Sequence, residues 1–233
     1  MSKIIIDKKI PSVKVDRKMI IQLENYFINN ISELVGIDKE TIIKNYSIEI
    51  SDSLGTEEYD RFSEFPLSLF QNGTEKIKLG YNIYGKIILS VELSFSVNAY
   101  TSMIRIRLET NSSREMAQGI LNGITERINP YKTYNYFFHK PVLKGVIWGL
   151  SYIIIIPIVF LFMNKQYIFS VYLFILYILI NLLVHYGEKL KPYCEFDTQK
   201  QKRINQIFSF LFWGFISYLI FGLGLGLITN TIL

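Results

Sequence analysis

A chain of 233 residues, half of them hydrophobic and with a formal net charge of +5, is long enough for one or two domains, but its charge is unevenly shared. Residues 1–136 hold seventeen Lys and Arg against seventeen Asp and Glu, whereas residues 137–233 hold eight cations against three anions. The excess sits beside the most apolar segments, which argues against a nucleic-acid-binding face on the polar half, and the lone Cys194 excludes an intrachain disulfide or a paired-thiol metal motif.

The N-terminus, Ser2-Lys3-Ile4-Ile5-Ile6-Asp7, offers three apolar residues where a cleavable export signal needs an unbroken run of about 7–15. The first half is therefore expected to stay on the side of the membrane where it is made. Heavy use of Ile, Asn, Lys and Tyr is the bias of AT-rich bacterial genomes.

Residues 3–6 read as a short strand, and Pro11 breaks the chain before Val13 to Val15 lead into Asp16, a good N-cap. Ile20, Leu23, Phe27, Ile31 and Leu34 recur at helical spacing, and Gly36 stands where a left-handed cap is wanted. Residues 46–50 read as a strand closed by the turn Asp52-Ser53-Leu54-Gly55. Residues 57–70, interrupted by Pro66, read as a loop with at most a short helix. Three strands follow at 76–83, 86–96 and 102–109, with Gly85 marking the first turn. In the second, Ile87, Leu89, Val91, Leu93 and Phe95 alternate with mostly polar neighbours, the pattern of a strand with one buried and one open face.

Ser112-Ser113-Arg114-Glu115 has capping-box spacing and opens a helix to about Ile128, with Met116, Ile120, Ile124 and Ile128 on one face. Gly119 and Gly123 near that face predict close packing on the sheet. Residues 1–130 thus read as an α+β domain, an antiparallel sheet carrying two helices on one face.

Residues 131–141 mix Tyr131, Lys132, Tyr134, Tyr136, Phe137, Phe138, His139 and Lys140, the aromatic and cationic blend of a bilayer interface. Residues 142–163 carry no charge after Lys144, and fourteen of these twenty-two are Ile, Leu, Val or Phe. At 1.5 Å per residue they reach about 33 Å, against a hydrocarbon core of about 30 Å. Residues 167–186 and 207–228 repeat the pattern, so residues 142–233 are expected to form an all-α membrane domain of three transmembrane helices. Pro157 predicts a kink in the first.

Three spans place the N-terminal domain and the loop 187–206 on the same side, with eight flanking cations from Lys132 to Arg203, while Lys165 alone lies opposite. The positive-inside rule puts the domain in the cytoplasm of a cell inner membrane and the C-terminus outside. Gly145 with Gly149, and Gly222 with Gly226, form four-residue small-residue steps and are candidates for packing against another span, in this chain or in a second copy.

No catalytic constellation stands out. Residues 1–136 contain no histidine, the glycines at 222–226 lie in a span with no cation after them, and His139, His185, Glu188 and Cys194 match no metal-site spacing. No cofactor is expected. Arg105 and Arg107 share the outward face of one strand beside Lys86, Ser90, Glu92 and Ser94, which makes that open face the candidate partner surface. The functional expectation is a bilayer-embedded protein whose cytosolic domain senses or binds a partner without catalysis. The alternative is an effector that oligomerises and perturbs the bilayer when that domain is triggered.

Overall fold

The computed structural model describes the backbone of residues 2–85 and 87–232, and the side-chain surroundings of these except at 168, 183, 215 and 218–232. Two compact units emerge. The first takes in residues 1–136 and 192–201, and the second residues 137–191 and 202–233.

The first unit is built on a six-stranded sheet, all of whose pairings are antiparallel. Its strands are β1 (Ser2–Lys9), β3 (Tyr46–Ser51), β4 (Thr56–Tyr59), β5 (Lys76–Ile83), β6 (Ile88–Ser96) and β7 (Met103–Thr110), in the order β1-β7-β6-β5-β3-β4. The alternation read in residues 86–96 has the expected consequence: Leu89, Val91 and Leu93 are buried, and so are Leu79 on β5 and Ile104, Ile106 and Leu108 on β7. The first strand is longer than the apolar triplet implied, because β1 pairs with β7 along eight residues from Ser2↔Thr110 to Lys9↔Met103. Residues 57–70, read as a loop with at most a short helix, hold a short 3-10 turn at Phe62–Glu64 as allowed, but also most of β4. Thr-Glu-Glu-Tyr shows no apolar alternation, so only its pairing with β3 makes it a strand.

Helices cover the apolar face of the sheet. Asp16 caps α1 (Arg17–Asn25) through the Met19 amide at 2.8 Å, and the chain continues through a π turn (Tyr26–Asn30) into α2 (Ile31–Val35), which Gly36 ends at φ 70°. A short α3 (Lys39–Asn45) leads into β3. The last helix of this group, α4 (Ser113–Ile128), starts where the capping box placed it, but Ser112 makes no side-chain cap bond. Gly119 and Gly123 do not meet the sheet. A Cβ at Gly119 would press on Leu34 and one at Gly123 would run into the Tyr26 ring, so these glycines let α4 approach the α1–α2 segment. Tyr46 and Tyr81, directly paired across β3 and β5, both meet Phe27 edge-on.

A second sheet completes this core. The connection 192–201 returns to the first unit and contributes β8 (Cys194–Phe196), parallel to β2 (Val13–Val15) in the register Val13↔Cys194 to Val15↔Phe196. Cys194 and Phe196 are buried, and Phe196 meets Phe70 at 6.1 Å. The loop expected at 187–206 is thus largely structured.

In the second unit, α5 (Pro141–Ile153) and α6 (Ile155–Met163) form a nearly continuous rod interrupted at Ile154. Pro157 has no amide for the Ile153 carbonyl one turn back, so the kink falls N-terminal to the proline. Lys165, at φ 62°, turns the chain into α7 (Tyr167–Leu190), against which α5 and α6 pack through Tyr152–Tyr177 at 6.5 Å and the Ser170 hydroxyl donating to Ile158 O at 3.0 Å. After β8, α8 (Gln199–Ile232) runs without a break. Pro141–Met163 is long and apolar enough to cross a membrane, and Phe169–Leu182 with Val184–Leu190 pass that test together, bent by 45°.

Two stability measurements check this packing. Phe196→Ala should lower the unfolding free energy of the first unit by about 3 kcal/mol, a core value rather than a loop value. The Tyr81 hydroxyl is buried without a hydrogen-bond partner among the described residues. Tyr81→Phe should therefore be neutral or stabilising by about 1 kcal/mol in denaturant melts.

Candidate functional site

Opposite the helices, the sheet presents a polar face whose order follows from strand register. Asp7 pairs with Arg105 and Arg105 with Glu92, while Ile5 pairs with Arg107 and Arg107 with Ser90. Arg105 Nε donates to Asp7 Oδ1 at 2.8 Å. Lys78 Nζ lies 3.0 Å from Glu49 and 3.9 Å from Glu92. Charges of opposite sign therefore alternate across the face from Asp7 to Glu49. Burial works against the Lys78 ammonium, but the Glu49 hydrogen bond and the fields of Glu92, Glu49 and Glu58 outweigh it and hold its pKa above the ordinary lysine value. Arg105 and Arg107 thus share one face. Arg105 is committed to Asp7, and the Arg107 Nε is buried without a hydrogen-bond partner among the described residues. Ser90 and Glu92 stand opposite them, whereas Ser94 pairs with Met103 and is buried rather than open, and Lys86 lies outside the described residues.

Gly80 interrupts this face. A Cβ there would fall 2.5 Å from the Val91 carbonyl, so β5 and β6 come together only around a bare backbone. The notch left between Ser47, Glu49, Lys78 and Glu92 has a volume near 70 Å³. That is far below the roughly 300 Å³ of a small-molecule pocket. Glu49 and Glu92 flank Lys78 at this notch, so its lining carries both signs of charge.

Beneath the helices, the buried Glu24 carboxylate accepts the Phe62 amide at 2.8 Å and braces the short turn against α1. Burial raises its pKa, opposed by that hydrogen bond and by Arg61. Spacing gave no hint of this pairing across 38 residues.

Cys194 is enclosed by the β2–β8 pair and the turn after β6. The Ser102 hydroxyl receives the Ser96 amide at 3.1 Å, donates toward Ser96 O and Asn98 O, and lies 3.5 Å from the thiol. Burial pushes the thiol up to about 11, against smaller opposing effects of Ser102, Ser96 and Val13. The thiol is a core group, not a nucleophile. Among the described residues, no group of three or more His, Cys, Asp or Glu side chains could hold a metal ion. His139 hydrogen-bonds the Lys191 carbonyl at 2.9 Å, and the His185 ring packs against Tyr186.

Within the second unit, Lys144, Trp148, Tyr177, Asn181 and His185 line an open hollow between α5 and α7. Lys144 pairs with Glu188, and the Asn181 amide donates to the Tyr177 carbonyl at 2.8 Å. Gly145 and Gly149 face open space, with nothing within 4 Å of an added Cβ. Gly222 and Gly226 fall on α8, where side-chain surroundings lie outside the described residues.

Comparison of the chain with protein-family models, curated proteins and solved structures finds no match in any of the three. The class the coordinates define is therefore structural: an antiparallel α+β unit followed by a helical part that includes a helix long and apolar enough to span a bilayer.

Thiol labelling tests the placement of Cys194. In the folded full chain at pH 8, alkylation should run at least about a hundredfold slower than in the denatured chain, because both the thiolate and access to it are scarce.

Proposed function

We propose that this chain is an integral protein of a cell inner membrane, anchored by three helices, whose cytoplasmic α+β unit senses or binds a partner without catalysis. The observation that carries the reading is the return of residues 192–201 into that unit. The strap is bound by backbone and side-chain bonds on several sides: the Tyr193 amide donates to Val97 O at 3.1 Å, the Asp197 amide to Val15 O at 3.0 Å, the Phe70 amide to Asp197 O at 3.3 Å, and the Tyr193 hydroxyl to Ile10 O at 2.7 Å. Its two ends continue directly into α7 and α8. A partner that shifts the sheet would pull on both helices through β8, which gives a sensing role a physical route.

Three features support the membrane part of the reading. Only 6% of the apolar window in Pro141–Met163 is buried, the reverse of a soluble core helix. Val142, Ile156, Phe160 and Met163 are among its exposed side chains, a surface that lipid would solvate. The connection 192–201 must also share a side with the N-terminal unit, as an even number of crossings between them requires, and that side bears eight of the nine flanking cations. The partner face is the ladder around Arg105 and Arg107.

A second reading, assembly of the helices into a bilayer-perturbing oligomer, is favoured by the open surroundings of Gly145 and Gly149. Dye leakage from liposomes carrying the full chain distinguishes it from an anchor, which leaves the vesicles sealed.

Orientation is checked with single cysteines in intact cells. A membrane-impermeant maleimide should label Lys165→Cys and spare Leu54→Cys until the cells are opened. Labelling of Leu54→Cys from outside would overturn the assignment.

A further inference from the structure

The sheet ends at β1 on one side and β4 on the other. Most exposed edges are short, bulged or covered, since a row of free amides and carbonyls templates another strand. At eight residues β1 is neither short nor apolar-poor: Ile4, Ile5 and Ile6 occupy its middle, and Ile5 is 56% exposed. We propose that this edge docks a second copy of the same chain, β1 against β1, antiparallel about a two-fold axis at Ile5.

Backbone parity selects the residues that do the pairing. The Ile10 amide donates to Ser102 O at 3.3 Å, continuing the β1–β7 register. Antiparallel ladders alternate, so the even-numbered residues of β1 turn their polar groups to β7 and Lys3, Ile5 and Asp7 turn theirs outward. An axis at Ile5 sets Ile5 opposite Ile5, Lys3 opposite Asp7 and Asp7 opposite Lys3, each an outward-facing pair able to exchange two backbone hydrogen bonds. Between them Ile4 faces Ile6, both already packed against the edge of the core. Every cross-strand pair in this stretch is then apolar with apolar or cation with anion, the combinations that stabilise a sheet.

Neighbouring registers are poorer: an axis at Ile4 sets Lys3 against Ile5 and loses the Lys3–Asp7 pairs, and the others bring like charges together. Moving the axis to Ile6 sets Lys3 against Lys9, moving it to Asp7 sets that carboxylate against its own copy, and moving it back to Lys3 does the same for the ammonium. The β4 edge cannot substitute, because an axis within its four residues sets either Glu57 or Glu58 against its own copy. The pairing is isologous and closes at two copies. It depends on the first unit alone and is independent of how the helical unit is placed.

The test uses the full chain with Ile5→Cys, leaving the buried Cys194 in place. Residues in a hydrogen-bonded antiparallel pair stand about 5.5 Å apart at Cα, within disulfide reach. Mild oxidation should convert most of the Ile5→Cys chain to a covalent dimer and leave Leu54→Cys, 93% exposed on a turn, monomeric. Adding Lys3→Glu, which sets like charges together at two places, should lower the dimer yield about tenfold. Ile5→Pro deletes an outward amide that β7 does not use, so light scattering should give a monomer mass with unchanged melting temperature. The inference is overturned if Ile5→Cys cross-links no better than Leu54→Cys. It is equally overturned by a dimer indifferent to both Lys3→Glu and Ile5→Pro, or by masses growing beyond two copies, the mark of head-to-tail pairing of β1 with β4.

Discussion

The parallel pairing of Val13–Val15 with Cys194–Phe196 joins segments about 180 residues apart and ties the second of them into the first unit. Bringing such distant strands together carries a loop-closure cost that grows slowly with length, so a ladder of three residues suffices only if burial helps. Here it does. Val13, Val15, Cys194 and Phe196 are all buried, and Ser102 ties the same patch to the turn after β6. The chain passes between its two units three times, after residues 136, 191 and 201, and the last two passages flank this ladder. The core of the first unit is therefore incomplete without residues that belong, in sequence, to the helical half. The proposed sensing role draws on that continuity of the strap with α7 and α8.

The outer face of the sheet obeys a different logic. Asp7 with Arg105, and Glu49 and Glu92 with Lys78, satisfy each other on this face, so these charges stay wet at little cost. The exposed Arg105–Asp7 pair adds at most about 1 kcal/mol to stability. Ile5 is the exception on this face. An exposed branched apolar side chain between Lys3 and Asp7, at the end of the row that contains Arg107, sets the β1 edge apart from the β4 edge, where Glu57 and Glu58 repel self-pairing.

Local patterns were readable where periodicity and burial coincide. The strict alternation in β6, the Asp16 cap and the Gly36 stop each follow from a few adjacent residues, and the outward placement of Arg105 and Arg107 follows from the same alternation. Long-range pairing was not readable: nothing near Arg105 reveals that Asp7 is its partner, since that depends on the register of strands almost a hundred residues apart. The short β8 escaped for a related reason, as three residues are too few to show a period. A signal existed one step further on. Thr198-Gln199-Lys200-Gln201 has capping-box spacing, and the Gln201 amide does bond the Thr198 hydroxyl at 3.0 Å, so α8 begins at Gln199 rather than at the first apolar residue of the expected span. The two glycines of α4 show the converse failure. Their spacing announced close packing correctly but could not say that the neighbour is α1–α2 and not the sheet.

Hydrogen–deuterium exchange of the full chain, resolved to the amides of residues 193–197, tests the account most directly. If the strap is part of the core, these amides exchange on the slow time scale of β5 and β6, and they lose protection together with those strands when Phe196 is truncated to Ala. Exchange at the rate of an open loop, while β5 and β6 stay protected, would contradict it.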